Sequence, residues 1–273
     1  MCVSLAPAKF SSTILYGYEI NVPGRIAHVL GYQNQVQNLV PSPNAMILPF
    51  LALPSSMTKA NVIDTSSHPH ILKDMAATVM PRFRGAMLLG STKSASVPPK
   101  VEIFHSGIYT VVLATDATLI HNALRYVPEV KRPRINNEIF DAYAAWYPEW
   151  TVALCCFNNG DAKTATPMLW HYEPMDNSSL FLPALDCHSG EVPNLNEKVV
   201  VDHTVVVGSN LMQIGNGSVV HYSDYLSDKI RPFLADEVIG RQIKGMLSNG
   251  DFFIKIGDVR NGNFALTRKA PIS

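Results

Sequence analysis

The residue best placed to do chemistry is Cys2. Methionine is normally removed before so small a residue. The chain would then begin with an α-amino group and a thiol on one residue. An amine beside a nucleophile is a complete nucleophile-plus-base unit, because the amine takes the proton that the thiol must lose. Retention of Met1 would remove that free amine. Other groups form smaller clusters. His68-Pro69-His70 and Cys187-His188 supply ligand types that suit zinc. But side chains two residues apart at a helix start diverge, so the pair is expected in a polar loop, with no metal. His171 and Glu173 alternate along Trp170-His171-Tyr172-Glu173, and a hydrogen-bonded buried pair is expected there. Asp202-His203, between valine runs, is read the same way. The chain has no Gly-rich phosphate loop, dinucleotide fingerprint, His-Glu-x-x-His helix, Gly-x-Ser-x-Gly elbow or zinc-spaced cysteine pairs. No cofactor is expected.

The elements that must position these residues are mostly strands. Ile14, Tyr16, Tyr18 and Ile20 alternate within 12–20, and Ile26, His28, Leu30 and Tyr32 alternate within 25–32. Asn21-Val22-Pro23-Gly24 turns between them, so a hairpin is expected. Residues 44–53 form an apolar run broken by Pro49, which suits an edge strand, a bulge or two short pieces. A helix is expected over 67–80, with Ser67 as cap and Pro69 in the first turn. Strands are expected at 101–104 and 108–114, helices at 115–126 and 135–147. Strands follow at 150–157, 167–172, 180–185, 198–207 and 218–222. Two shorter helices are expected in 224–247, broken at Pro232 and Gly240. A closing hairpin is expected over 251–267, turning at Asn261-Gly262. The fold class is therefore α+β, largely antiparallel β-sheets covered by helices. The Ser/Pro-rich stretch 93–99 reads as a linker between an N-terminal β-rich lobe, 1–92, and a C-terminal α+β lobe, 100–273.

Composition narrows the function classes. Lys+Arg and Asp+Glu are equal at 22 each, so no basic excess neutralises phosphates and no nucleic-acid partner is expected. Charged residues are only 16%, below the usual quarter or so. A chain of low charge near neutrality lacks the self-repulsion that keeps copies apart, and a homo-oligomer is expected. The aromatic junction Tyr143, Trp146, Tyr147 and Trp150 is the expected interface. No apolar stretch reaches the length of a membrane span. No signal-peptide pattern is read at the start, and the cysteines show no disulfide framework, so a cytoplasmic location is expected.

Two resemblances add to this. Cys2, opening the alternating segment Cys2-Val3-Ser4-Leu5 ahead of hairpin strands, resembles the entry to the N-terminal-nucleophile hydrolases. That resemblance implies an early-strand arginine near the nucleophile and a later asparagine at the oxyanion. Arg25 and Asn159, or Asn158, are the matching positions. The Cys-Gly-Ile and Cys-Thr openings of known members are absent. Second, Met46-Ile47-Leu48-Pro49-Phe50 followed by 67–80, then the order 109–114, 115–126, 135–146 and 150–157, is similar to an uncharacterised bacterial family of unknown function. Its mature chains open with Cys-Gly, and the glycine is missing here. That resemblance implies architecture only. Two functions follow: a noncatalytic binding or self-assembling protein, or an N-terminal-nucleophile cysteine amidohydrolase acting on a small amide.

Overall fold

A computed structural model describes residues 3–80, 101–160, 166–223 and 225–271. The strands are β1 (Val3–Ser4), β2 (Ala8–Val22), β3 (Arg25–Asn38), β4 (Asn44–Phe50), β5 (Val62–Ile63), β6 (Val101–Ser106), β7 (Tyr109–Ala114), β8 (Thr151–Phe157), β9 (Met168–Tyr172), β10 (Ser179–Leu182), β11 (Lys198–Ser209), β12 (Ser218–Val219), β13 (Glu237–Ser248), β14 (Asp251–Lys255) and β15 (Thr267–Lys269). The helices are α1 (Ile71–Val79), α2 (Thr118–Ala123), α3 (Asn137–Trp146) and α4 (Ile256–Arg260). Three sheets run in the orders β1-β4-β8-β7-β6, β12-β13-β11-β2-β3-β9-β5 and β10-β14-β15. Among the described residues the strand pairings are antiparallel except β11 with β2, and the isolated bridge Val3–Cys187 is also parallel. Strand makes up 43% and helix 17%, so sheet outweighs helix more than the α+β expectation allowed.

The β2–β3 hairpin forms as its alternation dictates, from Ala8↔Asn38 to Val22↔Arg25. Pro23 and Gly24 make the turn, and Gly24 takes φ +78°, the positive angle that the third position of a type II turn requires. Midway, Ser12 and Thr13 stand opposite the single residue Asn34, between the pairs Ser11↔Gln35 and Ile14↔Gln33. Ser12 has φ +51° at this bulge. The extra residue flips the pleat. Ala8 and Phe10 face the same core as Leu15, while Ile14, Tyr16 and Tyr18 face the other.

The main core lies between the two larger sheets, with Met46, Leu48, Phe50, Val111, Ala153, Cys155 and Trp170 inside it. The alternate residues Ile47, Val112, Leu154 and Cys156 face α2 and α3. Apolar contacts on both faces explain why β4 and β8 read as unbroken apolar runs. Pro49 lies beyond the two residues that β1 pairs with, where a missing N–H breaks no ladder on that side. On the far face of the seven-stranded sheet, α1 buries Ile71, Leu72, Met75 and Ala76. Its N-cap position is His70, three residues past the expected Ser67, and no side chain caps it. Gly31 lets it approach: a Cβ there would stand 2.9 Å from Leu72 Cδ2.

Three expectations are corrected. Residues 224–247 hold a 3-10 turn at Arg231–Phe233 and the twelve-residue β13, not two helices. Ile239, Ile243 and Leu247 recur every four residues, a spacing that satisfies a helix face and a strand face equally. The valine-rich β11 settles it by pairing with β13 over ten residue pairs. Asn261-Gly262 closes α4 rather than a hairpin, with Gly262 at φ +75° just past the helix end, although β14 and β15 do pair. The linker 93–99 lies outside the described residues. Strands from 1–92 and from 100–273 share both large sheets, so the two lobes interleave.

Candidate functional site

Cys2 lies outside the described residues. Its neighbour Val3 pairs with Ile47 and bridges Cys187, and Ser4 N donates to the Cys187 carbonyl at 3.0 Å. The chain therefore starts against Asp186-Cys187-His188. His188 Nε2 is 3.1 Å from Asp186 Oδ1, and its ring lies 4.8 Å from Phe10. Burial lowers His188 to about 4 and raises Asp186 to about 6. At neutral pH the imidazole is uncharged and the carboxyl mostly ionised. The Cys187 thiol faces the Ser189 hydroxyl at 3.3 Å, so the neighbouring histidine is engaged elsewhere.

Behind this lies a second carboxyl. Asp251 is 1% exposed. Its Oδ2 accepts from Tyr147 Oη at 2.6 Å. Its Oδ1 accepts from Ala184 N at 2.7 Å and Leu185 N at 2.9 Å. Burial raises its pKa against these hydrogen bonds. The group fixes the turn that carries Asp186 and His188, and every partner it has is structural.

The structure does not bring Arg25 and Asn159 together. Arg25 begins β3 at the hairpin tip. Asn159 is bonded to Asn38 at the far end of β3, and to the Val40 carbonyl at 3.0 Å. Thirteen residue steps of strand separate the two ends, roughly 40 Å at strand rise. Asn158 adjoins Asn159. An oxyanion site drawing on both ends is not assembled.

The aromatic junction is chiefly an internal seam. Tyr143 and Tyr147 are 1% and 4% exposed, so neither ring can reach a partner. Trp146 and Trp150 are half-buried against the same core. The rings run on from Tyr147 to Trp150 at 5.1 Å and to Phe181 at 4.8 Å, tying α3 to β10. Glu173 lies past the end of β9 and is exposed, so the expected buried pair with His171 does not form; His171 stacks on Phe233 at 4.9 Å. His203 is buried against Phe252, while Asp202, on the other face, is half-buried and accepts from Gln242, so the expected pair does not form. His68 and His70 line different clefts, of about 730 and 690 Å³. Among the described residues no three His, Cys, Asp or Glu side chains are grouped to hold a metal ion, and no helix is long and apolar enough to cross a membrane.

The far end of β13 is exposed along most of its length. β12 pairs only with Val238 and Glu237. Beyond them, the side of β13 turned away from β11 has no strand partner among the described residues. β2 joins β11 only from His203. Residues 198–202 and 244–248 thus continue past the sheet as a two-stranded ribbon. Its inner face, Val199 and Leu247, borders the main core, as does Ile243 just before it. On its outer face Val200 and Met246 stand opposite each other, 62% and 58% exposed. Beside them Asp202 Oδ1 accepts from Gln242 Nε2 at 3.0 Å and lies 3.9 Å from Lys244 Nζ.

No protein-family model matches the chain, and no curated protein matches it. Solved structures of similar arrangement include the crystal structure of baculovirus P35, at 12% identity and TM-score 0.48 over 100% of each chain. Another is the caspase-8/P35 complex, at 12% identity and TM-score 0.39 over 90% of this chain and 87% of that one. A mutated P35 after caspase cleavage matches at 11% identity and TM-score 0.42, over 90% of each. No residue role transfers at such identity.

Proposed function

We propose that this chain is a noncatalytic binding protein that makes its contact with another polypeptide through the β13 edge. The observation that carries this reading is the bare edge over residues 241–248 beside the exposed Val200–Met246 pair. An unpaired edge presents a row of N–H and C=O groups that an extended chain can satisfy. Two apolar side chains facing each other across a ribbon supply a dry contact next to it. This reading is favoured over an amidohydrolase because Arg25 and Asn159 stand at opposite ends of the hairpin.

A photo-crosslinking residue at Met246 or Gln242 tests this in the cells that make the protein. It should trap another polypeptide, and the same residue at Asp116, on an exposed turn remote from β13 in sequence, should not. Equal trapping at both places, or none at the edge, overturns the reading.

A further inference from the structure

The β13 edge carries an unbalanced charge that says what it takes. In the ribbon and its edge, residues 198–202 and 241–248, the cations are Lys198, Arg241 and Lys244 and the one acid is Asp202. The whole chain is balanced at 22 of each sign, so the excess is local. Arg241 is exposed, with its guanidinium 5.4 Å from the Phe264 ring centroid on the core-facing side. Lys244 is 64% exposed on the outer side. A strand laid along this edge would therefore meet one cation on each of its faces.

The same cations act against a second copy. Two antiparallel registers centred on the edge keep like faces together. One sets Lys244 opposite Lys244 of the other copy, and the other sets it opposite Met246 of that copy, with the two lysines diagonal neighbours. Like charges directly opposite destabilise a strand pair, and edge lysines are a common guard against self-pairing. An acidic strand turns that repulsion into attraction, so one feature excludes the copy and selects the partner.

Resting on the binding reading above, we propose that the β13 edge captures an extended, acidic segment of another protein by antiparallel strand addition. An acidic side chain meets Lys244, an apolar one packs on Met246 and Val200, and a second acid reaches Arg241 from the other face. Eight edge residues span about 27 Å at antiparallel strand rise, room for a segment of seven or eight residues. About half of the edge residues turn their N–H and C=O outward, so backbone bonding is available to any sequence without proline there. The charges and the apolar pair then choose among sequences.

The test uses the full chain and three synthetic octapeptides, each end-blocked. One reads Thr-Thr-Val-Thr-Glu-Thr-Thr-Glu, which laid antiparallel from Ser248 to Arg241 sets valine opposite Met246 and glutamate opposite Lys244 and Arg241, one has lysine in place of both glutamates, and the third is the glutamate peptide N-methylated on alternate residues. Fluorescence polarisation should show the glutamate peptide binding at least tenfold tighter than either of the others, weakening as salt rises. Hydrogen exchange should slow at amides within 239–248. Lys244→Glu with Arg241→Glu, both on exposed side chains, should reverse the preference towards the lysine peptide. Equal binding of the glutamate and lysine peptides, undiminished binding of the N-methylated one, or no binding of any overturns the proposal. A dimer in size-exclusion light scattering that the neutral Lys244→Gln strengthens also overturns it, since the edge would then be occupied by a second copy. If crosslinks at Met246 still trap another polypeptide while the acidic peptide fails, the binding reading stands and only the acidic segment falls.

Discussion

Asp251→Ala would remove the acceptor of three buried donors at once: the Tyr147 hydroxyl and the Ala184 and Leu185 amides. A buried donor left unpaired costs about 1–3 kcal/mol, so the variant should lose roughly 3–6 kcal/mol, allowing some relaxation onto water. That is a large part of a stability of about 5–15 kcal/mol. Asp251→Asn keeps Oδ1 for the two amides and turns an N–H towards Tyr147 Oη, which can accept. It should cost about 1–2 kcal/mol. Tyr147→Phe removes one buried hydrogen bond and should cost about 1–3 kcal/mol. Urea unfolding at pH 7, followed by tryptophan fluorescence, reads all three, since Trp150 lies 5.1 Å from Tyr147. A pH series adds a sign. The folded-state pKa of Asp251 is raised, so its contribution is full below the unfolded value and is lost as pH rises through the folded one. The gap between wild type and Asp251→Asn should therefore be narrower at pH 8 than at pH 4. An Asp251→Ala loss below about 1 kcal/mol, or equal losses for Ala and Asn, would refute the account of a turn held by this carboxylate.

Arg260→Ala strands Glu19, which is wholly buried and otherwise bonded to Ser209 Oγ at 2.6 Å. Burial alone would raise the Glu19 pKa, but Arg260 and Ser209 hold it below its usual value. The variant should lose about 3–5 kcal/mol at pH 7. The loss should shrink at pH 4, where a Glu19 freed from Arg260 can protonate, and chemical denaturation at both pH values checks this. His28, 1% exposed, is lowered to about 4 by burial. Its stabilising contribution is present above about 6.5 and is lost as pH falls through 4, amounting to about 3 kcal/mol. A His28→Leu variant should show a shallower acid limb in a stability-versus-pH curve, and an unchanged limb would count against the assignment. Gly240→Ala sets a Cβ 2.1 Å from the Val205 carbonyl oxygen, so β11 and β13 must part, at a cost of about 3 kcal/mol or more. Gly257→Ala meets nothing within 4 Å inside α4 and should gain up to about 1 kcal/mol from helix propensity; thermal unfolding of the two side by side reads the contrast.

Local pattern determined a good part of this protein. The alternation on either side of Pro23-Gly24 specified the first hairpin, because a period of two and a turn that needs a positive φ leave little choice. The apolar run 150–157 announced a buried strand, whereas 44–53, read as an edge strand, a bulge or two short pieces, holds one strand, β4, between β1 and β8. Asn136 accepts from Glu138 N at 3.1 Å and starts α3 two residues past the expected boundary. Pattern failed where one spacing served two structures. Ile239, Ile243 and Leu247 fit a helix or a strand, and only pairing with the distant β11 decided. The site followed the same division. The sequence could nominate Arg25, Asn159 and the aromatic junction by residue type, but a hairpin of this length holds its two ends apart, and Tyr143 and Tyr147 are taken by the core. An edge strand has no signature of its own in a sequence. It is bare because of which strands find partners elsewhere, and that is settled when β12 stops after two residues and β2 joins β11 only at His203.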